Sequence, residues 1–271
     1  MSPLTADELR WLSNVNVGKI VSAKPFAHAR TNQVCLLTNE NGQQTIFKRL
    51  NLKARDREDR KRELAIQKLA SDRRLTPEVL ADCEQYRVQT FIKGEILNSA
   101  SIDSQITKLF AAQLQVIHQL PAKYARPQRL AFELFFLNKE LKKQQNKAID
   151  EEEFQRYLQL ATQLDKRCTR DTICHGDLSF SNLVQAENGQ IKILDWEYAV
   201  LACPAYDLAA CSCINAFSSE QQAQLINHYY LLHKDHLSLS LAQLKKEYAL
   251  YLSVFTYLNE LWARCFQTAA E

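Results

Sequence analysis

Apolar and polar residues alternate with a period of two in the first third of the chain and recur at helical spacing over most of the remainder. The alternation predicts strands at residues 19–23, 33–38, 44–48, 78–82 and 86–92. The dipeptide Asn41-Gly42 predicts a tight hairpin turn between the second and third of these strands. This part of the chain is therefore expected to form a small antiparallel sheet.

Helical spacing predicts helices at residues 56–70, 101–119, 131–147, 151–167, 205–217, 219–233 and 241–265. A short β segment at 172–194 interrupts them. The pattern indicates an α+β protein with two lobes. The β-rich N-terminal lobe would cover residues 1–92 and the larger helical C-terminal lobe residues 93–271, with a hinge near Phe91 to Gly94.

The composition restricts the class of protein and the compartment that the sequence favours. The first residues lack the apolar core of a signal peptide, and no run of 18 apolar residues predicts a membrane span. The eight cysteines are scattered without paired C-x-x-C motifs, which favours reduced thiols in the cytoplasm over a zinc site. Residues 48–74 hold eleven basic and five acidic side chains, but Phe47 is the only aromatic residue nearby. A solvated helix is therefore favoured over a nucleic-acid groove, which would interleave stacking aromatics.

The clearest chemical signal is the segment 175–182, which reads H-G-D-L-S-F-S-N. Its form H-x-D-L-x-x-x-N is that of a kinase catalytic loop. Phosphoryl transfer needs a carboxylate that orients the acceptor hydroxyl and takes its proton, and an oxygen ligand for magnesium. Asp177 fits the first role, with His175 beside it in the motif, and Asn182 fits the second.

The residues that follow support this interpretation. A strand at 183–185, a turn at Glu187-Asn188-Gly189 and a return strand at 190–194 form a predicted hairpin that leads to Asp195. Kinases place their main magnesium ligand after such a hairpin, and hard carboxylate oxygens suit that ion. The sequence therefore predicts ATP and Mg²⁺ as cofactors, with Asn182 and Asp195 as metal ligands.

Residues 175–210 resemble the aminoglycoside phosphotransferase and choline kinase superfamily. The strings I-L-D-W-E-Y-A at 193–199 and Y-D-L-A at 206–209 are most similar to bacterial choline kinases and thiamine kinases. The resemblance implies a protein-kinase-like fold, ATP, magnesium and a small alcohol acceptor. It also implies that Lys48 contacts the α- and β-phosphates, that Glu63 pairs with this lysine (with Glu58 as the alternative), and that the hinge residues Phe91 and Ile92 contact adenine.

The chain departs from the usual kinase pattern at the phosphate loop. Residues 27–32 read A-H-A-R-T-N and contain no glycine, whereas kinases often cover the phosphates with a glycine-rich loop. The segment resembles the short loop of the family that ends in Ser/Thr-Asn. Its phosphate contacts are expected from Arg30, Thr31 and Asn32.

The acceptor is predicted to be small. Asp207 lies only 12 positions after Asp195, no A-P-E motif follows, and glycine follows His175 where protein kinases have arginine. No room is left for a peptide-binding activation segment. Asp207 is expected to support the catalytic loop by accepting backbone N–H bonds.

Choline and thiamine are cationic alcohols, which aromatic faces and nearby carboxylates would bind. The candidates for this role are Glu197, Tyr198, Phe255 and Trp262. The last two belong to a helical stripe with Tyr251 and Leu258, which could equally pack into the core. Aminoglycosides are disfavoured because residues 131–147 contain two Glu and four Lys. Homoserine, sugars, ethanolamine and a non-catalytic nucleotide-binding module remain alternatives.

Overall fold

The computed structural model describes residues 4–26, 32–51, 57–98, 105–144, 149–169 and 171–266. Within them the helices are α1 (Ala6–Ser13), α2 (Arg57–Asp72), α3 (Ile106–His118), α4 (Leu130–Lys143), α5 (Glu151–Arg167), α6 (Pro204–Ile214), α7 (Ser219–His233) and α8 (Leu241–Phe266). The strands are β1 (Ile20–Phe26), β2 (Gln33–Asn39), β3 (Gln44–Arg49), β4 (Val79–Asp82), β5 (Tyr86–Thr90), β6 (Gly94–Ile96), β7 (Arg126–Pro127), β8 (Thr172–Cys174), β9 (Leu183–Ala186), β10 (Ile191–Ile193) and β11 (Val200–Ala202).

The chain divides into two compact units. The first unit comprises the residues up to Leu97 together with Asn182–Glu197, and the second comprises Asn98–Ser181 and the residues from Tyr198 onward. The boundary between the two lobes predicted from the sequence lies instead after residue 92, which assigns the whole segment 182–197 to the C-terminal lobe. The difference arises because β9 pairs with β6 and thereby joins the first unit.

The first unit contains a five-stranded sheet in the order β1-β2-β3-β5-β4, in which all neighbours are antiparallel. Its core includes the fully buried side chains of Leu37, Phe47 and Val88. Trp11 from α1 and Tyr86 pack against Phe47 with ring centroids 6.2 and 5.4 Å away. The sequence analysis missed α1 although Thr5 and Glu8 form a capping box at its start.

The second unit is mainly helical, with α6 packed on α8, α3 on α7, and α4 on both α5 and α8. A small sheet in the order β7-β11-β8 lies at the start of the catalytic segment. Every residue of α6 from Pro204 to Ser212 is buried. A helix that is apolar on all sides belongs to a core, so α6 provides a fixed base for the one carboxylate that it carries, Asp207.

No disulfide joins any two of the eight cysteines, all of which lie in described residues. Among the described residues, no helix is both long and apolar enough to cross a membrane.

Candidate active site

Asn182 and Asp195 flank the open end of one hairpin in the first unit. Strands β9 and β10 pair in antiparallel register with Leu183 opposite Ile193. The next pair continues the ladder, because the backbone N–H of Leu194 donates to the Asn182 carbonyl at 2.8 Å. The hairpin therefore places both predicted metal ligands at the same end.

The backbone at Asp195 is in the left-handed region, with φ of +60°. Residues other than glycine rarely adopt this conformation, and such positions cluster at functional sites. The Asp195 side chain is exposed, and the Asn182 side chain is half-buried. The exposed carboxylate is thus accessible to a solvated ion.

Two contacts anchor this hairpin within the first unit. The N–H of Ile193 donates to the Leu75 carbonyl at 2.7 Å. On the other side β6 pairs with β9, and a Cβ at Gly94 would lie 2.2 Å from the Gln185 carbonyl oxygen. Only glycine allows the two strands to approach so closely there. The hinge glycine of the sequence analysis therefore also fixes the hairpin that carries Asp195.

The catalytic-loop residues follow β8 in the second unit. The fully buried carboxylate of Asp207 accepts the backbone N–H of His175 at 2.7 Å and that of Gly176 at 2.9 Å. The backbone N–H of Asp177 donates to the Nδ1 atom of His175 at 3.3 Å. The hydrogen bonds expected of Asp207 are present, and they fix the two residues that precede Asp177.

Steric constraints explain why a glycine follows His175 in the H-G-D string. Gly176 has φ of +77°, and a Cβ on it would lie 2.6 Å from the carbonyl oxygen of Tyr198. Both the backbone conformation and the space therefore exclude a side chain here. The turn that directly precedes Asp177 therefore requires glycine at position 176.

Asp207 also interacts with a histidine at the end of α3. Burial opposes ionisation of this carboxyl, but the hydrogen bond from His118, the positive potential of His118 and His175, and the Gly176 N–H outweigh it and lower the pKa of Asp207. His118 Nε2 lies 3.2 Å from the carboxylate, and its Nδ1 lies 2.7 Å from the Tyr229 hydroxyl. These contacts give His118 a structural role, in which it links Tyr229 to Asp207.

Asn215, which the sequence analysis did not single out, holds the other side of the loop. Its side-chain oxygen accepts the Phe180 N–H at 2.9 Å, and its amide nitrogen donates to the carbonyls of Leu178 at 2.9 Å and Cys211 at 2.8 Å. One amide thus joins the catalytic segment to the end of α6. A single Asn eight residues after Asp207 carries no local signal for this contact.

The structure gives Glu63 a partner other than Lys48. The Glu63 carboxylate binds the guanidinium of Arg87, whose side chain is 1% exposed and whose Nε also donates to Asp82 at 2.8 Å. Lys48 lies directly opposite Arg87 in the β3–β5 register, and no carboxylate of the described residues lies within ion-pair distance of it. The alternative Glu58 pairs with Lys61 at 2.7 Å. The Lys48–Glu63 pair implied by the resemblance is thus replaced by a buried Arg87–Glu63 pair.

The remaining nucleotide residues are partly described. Phe91 and Ile92 are half-buried and follow β5 directly. The side-chain oxygen of Asn32 accepts the backbone N–H of Asn51 at 3.0 Å, which ties the end of the phosphate loop to the end of β3. Arg30 and Thr31 lie outside the described residues.

The predicted acceptor residues differ in exposure. Tyr198 is 49% exposed and Trp262 39%, whereas Glu197 and Phe255 are half-buried. The Phe255 ring meets Tyr206 edge-on at 4.9 Å, and Tyr251 and Leu258 are buried. The helical stripe therefore divides into a core portion and a surface portion that ends at Trp262.

A β-rich N-terminal region, a helical C-terminal region, an H-x-D-L-x-x-x-N loop and a hairpin aspartate together define a kinase-like phosphotransferase. Residues 22–238 match the model of the phosphotransferase enzyme family, and the chain belongs to this family. The predicted superfamily and the predicted class, an ATP-dependent small-molecule phosphotransferase, are confirmed.

Solved structures share the fold at low sequence identity. The choline kinase LicA from Streptococcus pneumoniae is 24% identical, with a TM-score of 0.66 over 89% of this chain and 86% of that one. An ethanolamine kinase from Plasmodium vivax is 18% identical, with a TM-score of 0.68 over 92% and 78%. A choline/ethanolamine kinase family protein from Mesorhizobium loti is 16% identical, with a TM-score of 0.70 over 99% and 89%. No curated protein sequence matches the chain.

Proposed function

We propose that this phosphotransferase moves the γ-phosphate of ATP to the hydroxyl group of a small cationic alcohol of the choline type. The observation that carries the proposal is a pair of hydrogen bonds that fix the catalytic loop, in which Asp207 accepts the backbone N–H groups of His175 and Gly176. A loop fixed in this way would hold the backbone at Asp177 in place for the reaction. Phosphoryl transfer depends on positioning of this kind more than on covalent chemistry.

Asp177 would accept the proton of the acceptor hydroxyl as the oxygen attacks phosphorus. His175 would act through the loop, because its ring nitrogen accepts the Asp177 N–H. Asn182 and Asp195 would hold Mg²⁺, since the hairpin presents one amide oxygen and one carboxylate at the same end, and this set of hard oxygen donors suits that ion. Bound magnesium would neutralise charge on the phosphates.

For ATP, we assign Lys48 to the α- and β-phosphates and the backbone of Phe91 and Ile92 to adenine. The phosphate-loop residues Arg30, Thr31 and Asn32 would contribute further donors. A cation on β3 without a carboxylate partner among the described residues is compatible with a role toward phosphate. We assign no nucleotide contact to Glu63, because Arg87 occupies its carboxylate.

The choline-type acceptor is supported by a carboxylate and an aromatic ring that are adjacent in the sequence. Glu197 and Tyr198 lie two and three residues after Asp195, and Tyr198 is 49% exposed. Trp262 on α8 is 39% exposed. Among the described residues, no Lys or Arg lies over the Trp262 ring, whereas Arg129 covers Phe132 at 4.7 Å. An uncovered ring can accept a quaternary ammonium group. The three similar structures reported above carry choline or ethanolamine kinase names.

The test is ADP release with ATP, Mg²⁺ and a panel of acceptors that includes choline, ethanolamine, thiamine, homoserine and an aminoglycoside. The proposal expects the largest kcat/KM with choline, and a kcat/KM about 10² to 10⁴ lower with the Asp177→Asn variant. A clear preference for thiamine would make the protein a thiamine kinase, and a preference for a neutral alcohol would remove the cation site. ATP binding without turnover on any acceptor would point to a nucleotide-binding module.

A further inference from the structure

A cavity of about 170 Å³ lies in the first unit between α2 and the turn that joins β4 to β5. Helix α2 contributes Arg57, Arg60, Lys61 and Leu64, which share one helical face because of their i, i+3, i+4, i+7 spacing. Asp82, Glu84 and Arg87 complete the charged lining. Among the described residues, the cavity is thus lined by four cations and two carboxylates.

Most of these charges have partners. Arg87 donates to Asp82 at 2.8 Å, to Gln67 at 3.1 Å and to the Glu63 carboxylate. Lys61 donates to Glu58 at 2.7 Å. Asp82 is thus paired with Arg87. Glu84 is then the remaining carboxylate among the described lining residues, which also include Arg57 and Arg60. The balance of charge that remains is positive.

Arg60 is the exception to this pairing. The residue is only 8% exposed, and its Nη2 donates to the backbone carbonyl of Asn51. Its Nε is buried without a hydrogen-bond partner. No carboxylate of the described residues lies within ion-pair distance of its guanidinium. Within the described part of the chain this buried charge has no counter-ion and one donor without a partner, which is costly, so the arrangement favours an anion.

We propose that this cavity binds a compact oxyanion, namely phosphate or the phosphoryl group of a small phosphomonoester. The guanidinium fork of Arg60 would bind the anion at the buried end, since planar N–H pairs match phosphate oxygens. Arg57, which is exposed at the start of α2, would contact it at the mouth. The site is distinct from the catalytic loop and from the hairpin ligands, none of which lines it.

Cys83 provides a local reporter because it lines the cavity and is half-buried. Its alkylation by neutral iodoacetamide, followed by peptide mass spectrometry, measures access to this thiol. Inorganic phosphate should slow alkylation of Cys83 but not of Cys213, a half-buried thiol in the second unit. Sodium chloride at matched ionic strength should protect neither. Glycerol 2-phosphate in a parallel series shows whether a phosphomonoester is accepted as well as the free ion.

Two variants with equal charge change make the test specific. Arg57→Gln should raise the phosphate concentration for half-protection about tenfold, which is the loss expected from one charge-assisted hydrogen bond. Lys68→Gln, at an exposed position of the same helix outside the cavity, should leave that concentration unchanged. Because both altered side chains are exposed, both proteins should fold. Equal protection by sodium chloride, no protection of Cys83, or the same shift in both variants would overturn the proposal.

Discussion

The carboxylate of Asp207 accepts a 2.7 Å hydrogen bond from the backbone N–H of His175, a residue that precedes it by 32 positions. Helix α6, which carries Asp207, is buried along most of its length. The hydrogen bonds to Asp207 therefore hold the loop before Asp177 in a fixed position relative to the core of the second unit. Asn215 at the end of the same helix holds residues 178 and 180. The catalytic segment is therefore supported from both sides by one helix.

Asp177→Asn should reduce the rate of phosphoryl transfer by about 10² to 10⁴, the usual contribution of a general base. The affinity for ATP should change little, because this side chain is assigned to the acceptor. Steady-state kinetics and calorimetry with ATP measure the two effects. Glu187→Gln, an exposed carboxylate in the hairpin turn, serves as the control. Turnover near that of the wild type would remove Asp177 from the mechanism.

Asp195→Ala should weaken Mg²⁺-dependent ATP binding more than Asn182→Ala does, because a carboxylate contributes a full charge and an amide only a dipole. Calorimetric titrations with and without magnesium separate the metal-dependent part. The assignment would fail if both variants and the wild type bound ATP equally well in either condition.

Asp207→Asn should destabilise the protein by about 2 to 4 kcal/mol, since the amide cannot accept all of the bonds that the buried carboxylate accepts. The pKa of Asp207 is lowered in the folded state, so its stabilising effect is present above the ordinary aspartate pKa and is lost as the pH falls through the folded-state value.

Urea unfolding across pH tests this directly. The stability difference between wild type and Asp207→Asn should shrink below about pH 4. The exposed Asp171→Asn variant gives the background trend. A difference that instead grew on acidification would contradict an ionised Asp207.

Glu63→Gln should lower stability more than it impairs ATP use. It removes a counter-ion from Arg87, whose side chain is 1% exposed, and breaking a buried pair costs about 3 to 5 kcal/mol. Lys48→Met should show the opposite pattern, with a raised KM for ATP and little change in unfolding. If Glu63→Gln raised the KM for ATP as much as Lys48→Met at unchanged stability, the Lys48–Glu63 pair would have to form in the working enzyme.

Trp262→Phe should raise the KM for the acceptor several-fold, because phenylalanine weakens but does not abolish a cation–π contribution of about 0.5 to 2 kcal/mol. The Tm and the KM for ATP should stay the same, because the ring is 39% exposed. Phe266→Leu, at the exposed neighbour whose ring centroid lies 5.6 Å away, is the matched control. A drop in Tm with an unchanged acceptor KM would place Trp262 in the packing of α8 instead.

Elements with strong local signals could be predicted from the sequence. The predicted limits of α5 and α7 agree with the structure, because Asp150 and Ser218 cap their first turns and amphipathic or buried faces continue to their ends. Strands β7 and β11 were not predicted. They are two and three residues long and owe their form to partners distant in the chain.

The features of the candidate site likewise fall into those that the sequence could predict and those that it could not. The motif carries Asp177, Asn182 and Asp195, because their chemistry requires fixed residue types at fixed spacing. The interactions of Asn215 and the choice of Arg87 by Glu63 depend on tertiary neighbours. Spacing along a helix shows that Glu63 can reach the sheet, but it does not show which of two adjacent strand cations will bind it.

The contact between residue 176 and the carbonyl of Tyr198 has an evolutionary consequence. No substitution at 198 can make room for a side chain at 176, because every residue at 198 carries the same backbone carbonyl. In protein kinases an arginine occupies the place of this glycine. The present chain could acquire that arginine only after the backbone of the segment following its hairpin had been rebuilt.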